Sequence, residues 1–298
     1  KGIGRVGLAH LITQKGGVRA EFTIFKRGHE DYYLVSAGAM ERHDWDYLSK
    51  LAPPNSSFKL NKITPSRGVL VLAGPRSRDL LGELTSSDLT NGAFPWLTGK
   101  TINIGAAEVE ALRVNFVGEL GWELHHPIEM QNYLFDELFR VGADYELKPF
   151  GIRAMDSLRL EKSYRLIPRE MSIEYSALES GLDRFVKLDK EHDFVGKDGL
   201  LDWQQKGFEN SFVTLEVTDA EDADARGSEA IYCDGKLVGR ATSGGYGFRV
   251  DKSLALGLVK PEFASLGTDL EIEILGKRYA ARVVAESPFD PENTCLRG

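Results

Sequence analysis

Three glutamates carry the groups that could do chemistry here. Glu21 lies on a stretch in which Val18, Ala20, Phe22 and Ile24 alternate with Arg19, Glu21 and Thr23. That is the period of a strand with one buried face, so Glu21 points away from the core-facing set. Glu119 and Glu123 stand four residues apart in Gly118 to Leu124, a glycine-punctuated turn expected after a strand. An ordered carboxylate can relay a proton or accept N–H donors from a ligand. It can equally be one half of a surface ion pair or a solvated turn residue, and residue type alone leaves both readings open.

Other chemistries find little support. His125 and His126 are adjacent, so their side chains diverge on a strand or loop, and with no third ligand in the sequence a metal site is not expected. Cys233 and Cys295 are far apart and lack a CxxC or Cys/His pattern, which indicates neither a disulfide framework nor a structural zinc. Walker, HExxH, GxSxG and complete GxGxxG signatures are missing. Arg153, Arg159 and Lys162 share an expected helix with Asp156 and Glu161, where salt bridging worth a few tenths of a kcal/mol per pair is the default explanation. Tyr246, in Ser243-Gly244-Gly245-Tyr246, is placed either to close over a ligand or to pack a turn.

These residues need elements to position them. The strand around Glu21 pairs with Tyr32 to Ala37 across a turn at Gly28 to Asp31, and Glu41 to Leu51 reads as a helix. Gly68 to Ala73 reads as an apolar strand, followed by a helix from Arg78 to Leu84 that Ser77 would cap. A second round follows: a strand over Val109 to Val117, the loop through Gly118 and Gly121, and a helix over Glu129 to Val141. Such rounds suggest α+β units with helices on one side of antiparallel sheets, and Phe150 to Tyr164 adds another helix.

Past about Lys206 the texture changes to short β runs: Phe212 to Val217, Ala230 to Cys233, Lys236 to Thr242, Leu254 to Val259, Leu270 to Ile274 and Tyr279 to Val284. Asp-Gly, Gly-Gly, Pro and Gly-Lys signals separate them, which is how an all-β barrel or sandwich reads. The expected division is therefore 1–205 and 206–298. A chain of 298 residues is long enough to divide in this way.

With 42% hydrophobic and 28% charged residues the composition is that of a globular protein. The net charge of -8, without a basic block, argues against nucleic acid or an anionic membrane as the main partner. No run reaches the length of a membrane span. The opening Lys1-Gly2-Ile3-Gly4 resembles neither a signal peptide nor an initiator methionine, so an N-terminal truncation is expected.

Six segments in collinear order resemble the glycine-cleavage T-protein superfamily. They are Gly16-Gly17-Val18-Arg19-Ala20-Glu21-Phe22-Thr23, Gly74 to Leu81, Phe116-Val117-Gly118-Glu119-Leu120-Gly121-Trp122-Glu123-Leu124, Ala154 to Lys162, Asp193-Phe194-Val195-Gly196-Lys197 and Thr242 to Tyr246. Their form looks closer to the C-terminal half of dimethylglycine and sarcosine dehydrogenases than to the free aminomethyltransferase. The resemblance implies an aminomethyltransferase-like folate-binding fold with ferredoxin-like antiparallel sheet units, followed by a C-terminal β-barrel.

It also implies that Glu21 contacts the pterin of tetrahydrofolate and relays protons. Thr23, Phe116, Glu123 and Tyr246 would join it as folate-binding residues, with Glu119 shaping its loop and Trp122 in the core or wall. Two positions depart from the aminomethyltransferase pattern: Phe116 replaces a tyrosine and Met155 an arginine, which weakens transfer from a lipoyl-bound aminomethyl group. The implied enzyme carries FAD upstream of Lys1, oxidises a small N-methyl amine, passes electrons to oxygen or a partner protein, and forms 5,10-methylenetetrahydrofolate here. It would reside in the bacterial cytoplasm or mitochondrial matrix, as a monomer or an oligomer. Alternatives are a stand-alone aminomethyltransferase, or a non-catalytic regulator like the regulatory subunit of pyruvate dehydrogenase phosphatase.

Overall fold

The computed structural model describes residues 2–53, 57–220 and 222–298. Strands β1 (Val6–Ile12), β2 (Val18–Lys26) and β3 (Tyr32–Val35) form an antiparallel sheet in that order, and helix α1 (Glu41–Leu51) follows. Strand β4 (Arg67–Ala73), helix α2 (Ser77–Gly82) and strands β5 (Gly99–Ile104), β6 (Ala107–Leu112) and β7 (Gly121–Pro127) come next. These four strands make a second antiparallel sheet in the order β4-β7-β6-β5. Helices α3 (Gln131–Gly142), α4 (Ile152–Leu160) and α5 (Lys197–Lys206) complete the first part.

Strands β8 (Ser211–Val217), β9 (Ala230–Cys233), β10 (Lys236–Gly247), β11 (Lys252–Val259), β12 (Asp269–Ile274) and β13 (Lys277–Val284) close into a barrel. Closure leaves no edge strand, and alternate residues such as Leu270, Ile272 and Ile274 fill the interior. The sheets and barrel with their helices make an α+β chain.

The second sheet has two unlike faces. Leu72, Trp122 and Leu124 point to one side, where Leu134 and Leu138 of α3 and Leu80 and Leu81 of α2 cover them. Each such side chain fully buried contributes roughly 1.5–3 kcal/mol, so this face fixes the sheet. The opposite face carries Val69, Val71, Glu123 and His125, because Val69 pairs with His125 and Val71 with Glu123 across β4 and β7.

Several boundaries differ from expectation. Strand β6 stops at Leu112 rather than running to Val117: the Arg113 side chain is fully buried, donating to Phe94 O at 2.7 Å and to the carbonyls of Arg297 and Gly298 at 3.0 Å. Glu123 consequently sits within strand β7, not on a turn. Helix α4 ends at Leu160 instead of Tyr164, the chain turning at Ser163, whose φ is 54°. Ser77 does not cap α2 with its side chain; its hydroxyl donates to Leu120 O at 3.0 Å and ties the helix to the β7 side of the sheet.

Candidate functional site

Strands β1 and β2 form a hairpin whose register places His10 directly opposite Glu21, Leu8 opposite Thr23 and Val6 opposite Phe25. On the other side Val35 lies opposite Thr23 and Tyr33 opposite Phe25. Directly opposed residues of an antiparallel pair share a face, so Glu21, Thr23, His10, Leu8 and Tyr33 lie on one surface. Glu21 Oε2 stands 2.8 Å from His10 Nε2. The imidazole is 5% exposed and the carboxylate 29%, so the histidine is sealed while the glutamate reaches solvent. Phe185 packs on the His10 ring at 5.3 Å between centroids. Beyond His10 lies a cavity of about 200 Å³ lined by Leu8, Ile12, Phe185 and Phe194, with Lys187 and Lys190 in its wall.

Glu123 belongs to the facing sheet. Its Oε2 lies 3.2 Å from His125 Nε2, and His125 Nδ1 lies 3.1 Å from the Tyr33 hydroxyl. The Tyr33 to His125 contact joins the two sheets and orients the Glu21 face and the Glu123 face toward each other. Burial pushes the Tyr33 hydroxyl above its usual pKa, so it stays protonated. Arg27 sits over the Tyr33 ring at 4.1 Å and pairs with Glu110, which Arg67 also approaches at 3.5 Å. Leu8, Val69 and Val71, beside the two carboxylates, are 42%, 44% and 42% exposed. Such exposed apolar residues around convergent polar groups suit a partly apolar ligand.

The loop between β6 and β7 is built by Asn115, whose Oδ1 accepts from Val117 N at 3.0 Å and Gly118 N at 3.1 Å. Gly118 has φ 75°, and a Cβ there would meet Lys162 Cγ at 2.5 Å, so only glycine fits. Phe116 stacks on Tyr164 with centroids 5.5 Å apart. The Glu119 side chain pairs with the barrel: Arg249 donates to it at 2.8 Å, pairs with Glu161 and lies 3.7 Å from the Phe289 ring. Trp122 is fully buried in the core.

Tyr246 is 38% exposed, with its hydroxyl bonded to Asp251 and its ring edge-on to Phe248. Its carbonyl accepts from Ser157 of α4 at 2.6 Å. Glu21, Thr23 and Glu123 thus belong to the facing sheets, whereas Phe116 and Tyr246 pack around α4 and the segment after it. His125 and His126 diverge, the latter bonding Gln131 and Leu124 O, each at 2.9 Å.

Sequence reasoning missed His10, Tyr33 and Arg249 and gave His125 no role beyond the metal question. The local signal for His10 was incomplete. The turn Thr13 to Gly17 closes the hairpin, but counting outward from it alone would set His10 against Ala20; a bulge between Leu11 and Ile12 shifts the register by one residue and brings His10 opposite Glu21. Tyr33 and His125 are 92 residues apart and no local count joins them.

Two antiparallel sheets followed by a closed six-stranded barrel match the architecture of a solved aminomethyltransferase. The crystal structure of glycine cleavage system aminomethyltransferase T from Bartonella henselae superposes with a TM-score of 0.83 at 22% identity, over 97% of this chain and 77% of that one. The GCVT N-terminal domain matches residues 1–190 and the glycine cleavage T-protein C-terminal barrel domain residues 210–290. The chain belongs to the glycine cleavage T-protein family.

Among its relatives, mitochondrial dimethylglycine dehydrogenase of Homo sapiens is 36% identical over 285 residues, covering 95% of this chain and 33% of that protein. An aminomethyltransferase of Desulfitobacterium hafniense is 30% identical over 274 residues, 92% of this chain and 73% of the relative. The chain therefore spans about a third of the length of the dehydrogenase it matches. No helix among the described residues is long and apolar enough to cross a membrane.

Proposed function

We propose that this chain is the tetrahydrofolate-binding, one-carbon-transfer portion of an FAD-dependent N-methyl amine dehydrogenase of the dimethylglycine or sarcosine type. The observation that carries the reading is two carboxylates, Glu21 and Glu123, on sheet faces joined by the Tyr33 to His125 contact, each restrained by a buried histidine and accompanied by the exposed side chains of Leu8, Val69 and Val71. A pterin is flat, apolar on its faces and rich in N–H donors along one edge. Apolar side chains beside fixed acceptors match that chemistry.

Bound tetrahydrofolate would supply the amine nucleophile that captures the one-carbon unit, arriving as an iminium or as formaldehyde from amine oxidation elsewhere in the full-length protein. Glu21 accepts the proton that the attacking amine loses and returns one to the departing amine or hydroxyl, so charge balances. Glu123 holds the pterin edge, and Leu8, Val69 and Val71 exclude water from the reacting carbon. Thr23 lines the same surface beside Glu21. Phe116, stacked on Tyr164, offers an aromatic wall, and Tyr246 stands at the rim between α4 and the barrel. FAD would be carried by the remainder of the full-length protein and would pass its electrons to oxygen or a partner protein.

The stand-alone aminomethyltransferase is the second reading, supported by the Desulfitobacterium relative; Phe116 and Met155 count against it. Calorimetric titration of the full-length protein with tetrahydrofolate tests the proposal, together with Glu21→Ala assayed in parallel for flavin reduction and for methylenetetrahydrofolate. Loss of about 10²- to 10⁴-fold in the second assay with the first preserved is expected. A folded protein that binds no tetrahydrofolate would overturn the reading.

A further inference from the structure

Both carboxylates are held in the same manner. One oxygen of each lies within hydrogen-bond reach of a histidine Nε2: Glu21 Oε2 at 2.8 Å from His10, Glu123 Oε2 at 3.2 Å from His125. The imidazoles are 5% and 0% exposed, the carboxylates 29% and 22%. Water and ligand therefore meet the glutamates only on the side away from the histidines.

The proton arrangement follows from the partners. The Glu123 carboxylate can only accept, so His125 Nε2 carries the ring hydrogen of the neutral imidazole and Nδ1 presents its lone pair to the Tyr33 hydroxyl, which burial keeps protonated. The ring hydrogen is thereby directed at Glu123. Arg27 and Arg67, beside Tyr33, are balanced by Glu110, which lies directly opposite His125 across β6 and β7. At His10 the acceptor is the carboxylate itself, so Nε2 is the donor.

The geometry points to His10 and His125 as positioning residues: each donates to one oxygen of its glutamate and turns the other toward the pterin, with Tyr33 fixing the His125 tautomer. This inference rests on the folate reading above. Neither imidazole touches the reacting atoms. Both glutamates are locked as acceptors before the ligand arrives, which removes the rotamer entropy that binding would otherwise have to overcome.

The test uses the full-length protein titrated with tetrahydrofolate, with melting temperatures recorded for every variant. His10→Leu and His125→Leu remove the donor while keeping apolar bulk. Each should weaken binding by about tenfold or more, the typical worth of a hydrogen bond to a charged group. His10→Gln and His125→Gln restore a donor to the glutamate and, at His125, an acceptor for Tyr33; affinity should return to within about threefold of wild type. Tyr33→Phe, which frees the imidazole to place its lone pair against Glu123, should weaken binding in the same direction.

Should His125→Leu fail to fold, His10→Leu and Tyr33→Phe decide the matter. Folded Leu variants that bind as tightly as wild type overturn the inference and leave the folate reading intact. Gln variants that fold but bind no better than the Leu variants also overturn it, since shape rather than hydrogen bonding would then matter. Wild-type protein that binds no tetrahydrofolate overturns the folate reading and this inference together.

Discussion

Removing the Glu170 carboxylate should damage this fold more than any other single truncation outside the apolar cores. Glu170 and Arg159 have fully buried side chains, with Arg159 Nη1 at 3.3 Å from Glu170 Oε2. The same oxygen accepts from Leu166 N at 2.8 Å, while Oε1 accepts from the hydroxyls of Thr242 at 2.6 Å and Ser243 at 2.5 Å. Thr242 and Ser243 belong to β10, so this one carboxylate docks the barrel against the segment after α4. Glu170→Ala leaves the guanidinium with Asp156 at 2.7 Å, the Ser243 hydroxyl at 2.8 Å and the Tyr164 carbonyl at 2.9 Å as remaining acceptors. Breaking a buried pair costs about 3–5 kcal/mol. Orphaning Leu166 N adds about 1 kcal/mol, whereas Thr242 still reaches Leu256 O at 3.1 Å and loses little. The expected loss is about 4–6 kcal/mol, a large share of the ~5–15 kcal/mol that stabilises a domain. Urea unfolding with an m-value near 3 kcal/mol/M would show the midpoint falling by about 1–2 M. Glu170→Gln, which keeps the shape and one acceptor oxygen, should lose roughly half as much. The double replacement Arg159→Met with Glu170→Leu should lose less than Glu170→Ala, because no fully buried charge is left: Asp156, which loses Arg159, is 33% exposed and lies 3.8 Å from Arg169. A Glu170→Ala loss below about 1 kcal/mol would refute the account of this network.

Gly118→Ala should destabilise by about 1–2 kcal/mol from its positive φ, with more from displacing the Lys162 stem; differential scanning calorimetry reads this, and an unchanged melting temperature counts against it. Burial pushes the Tyr164 hydroxyl up to about 12 from 10.0. Because the folded state holds this proton more tightly, its stability contribution is intact below about pH 10 and is lost as pH climbs toward 12, at about 1.4 kcal/mol per unit. Tyr164→Phe should therefore flatten the alkaline fall in stability measured by denaturant unfolding between pH 9 and 11 (roughly the window accessible before general unfolding), and identical slopes would sink the claim. Val71→Lys, at a residue 42% exposed, should change stability by no more than about 0.5 kcal/mol yet weaken tetrahydrofolate binding more than about tenfold; unaltered titration curves would remove Val71 from the ligand surface.

Much of the fold is legible where one element face alone decides the pattern. Glu41 to Leu51 and Ala230 to Cys233 form the expected helix and strand with the expected ends. Barrel strands β12 and β13 alternate cleanly because each has one face inside and one outside, whereas β11 is buried from Ser253 to Val259. Strand β2 keeps that alternation through Phe22, after which Ile24 is only half-buried and Phe25 is buried, since its far end is covered on the Glu21 face by Val6, Tyr33 and Leu112. The strand expected to reach Val117 is cut short by Arg113, an arginine buried against carbonyls nearly two hundred residues away in the chain. Likewise Arg159, expected to make a weak helix-surface pair with Asp156, is sealed in a network reaching β10. Side-chain type suggests exposure for both, and only tertiary contact reverses it.

The site divides along the same line. Glu21 and Glu123 emerge from the resemblance, not from their local pattern, because a strand glutamate looks the same whether it meets water or a ligand. What distinguishes them is the company kept across sheets. His10 is one residue out of reach of hairpin arithmetic, since a bulge between Leu11 and Ile12 turns it from Ala20 to Glu21. Tyr33 and His125 are beyond it altogether: their contact depends on how two separately formed sheets pack, and packing of that kind leaves no period in the sequence. Arg249 is further removed, joining Glu119 at a separation of 130 residues and Glu161 at 88. A group that binds can be recognised by its chemistry, whereas a group that positions is defined by the geometry of its neighbours. The restrained carboxylates of this chain therefore had to be found in its structure, and exchanging histidine for glutamine will show whether the restraint is what the ligand recognises.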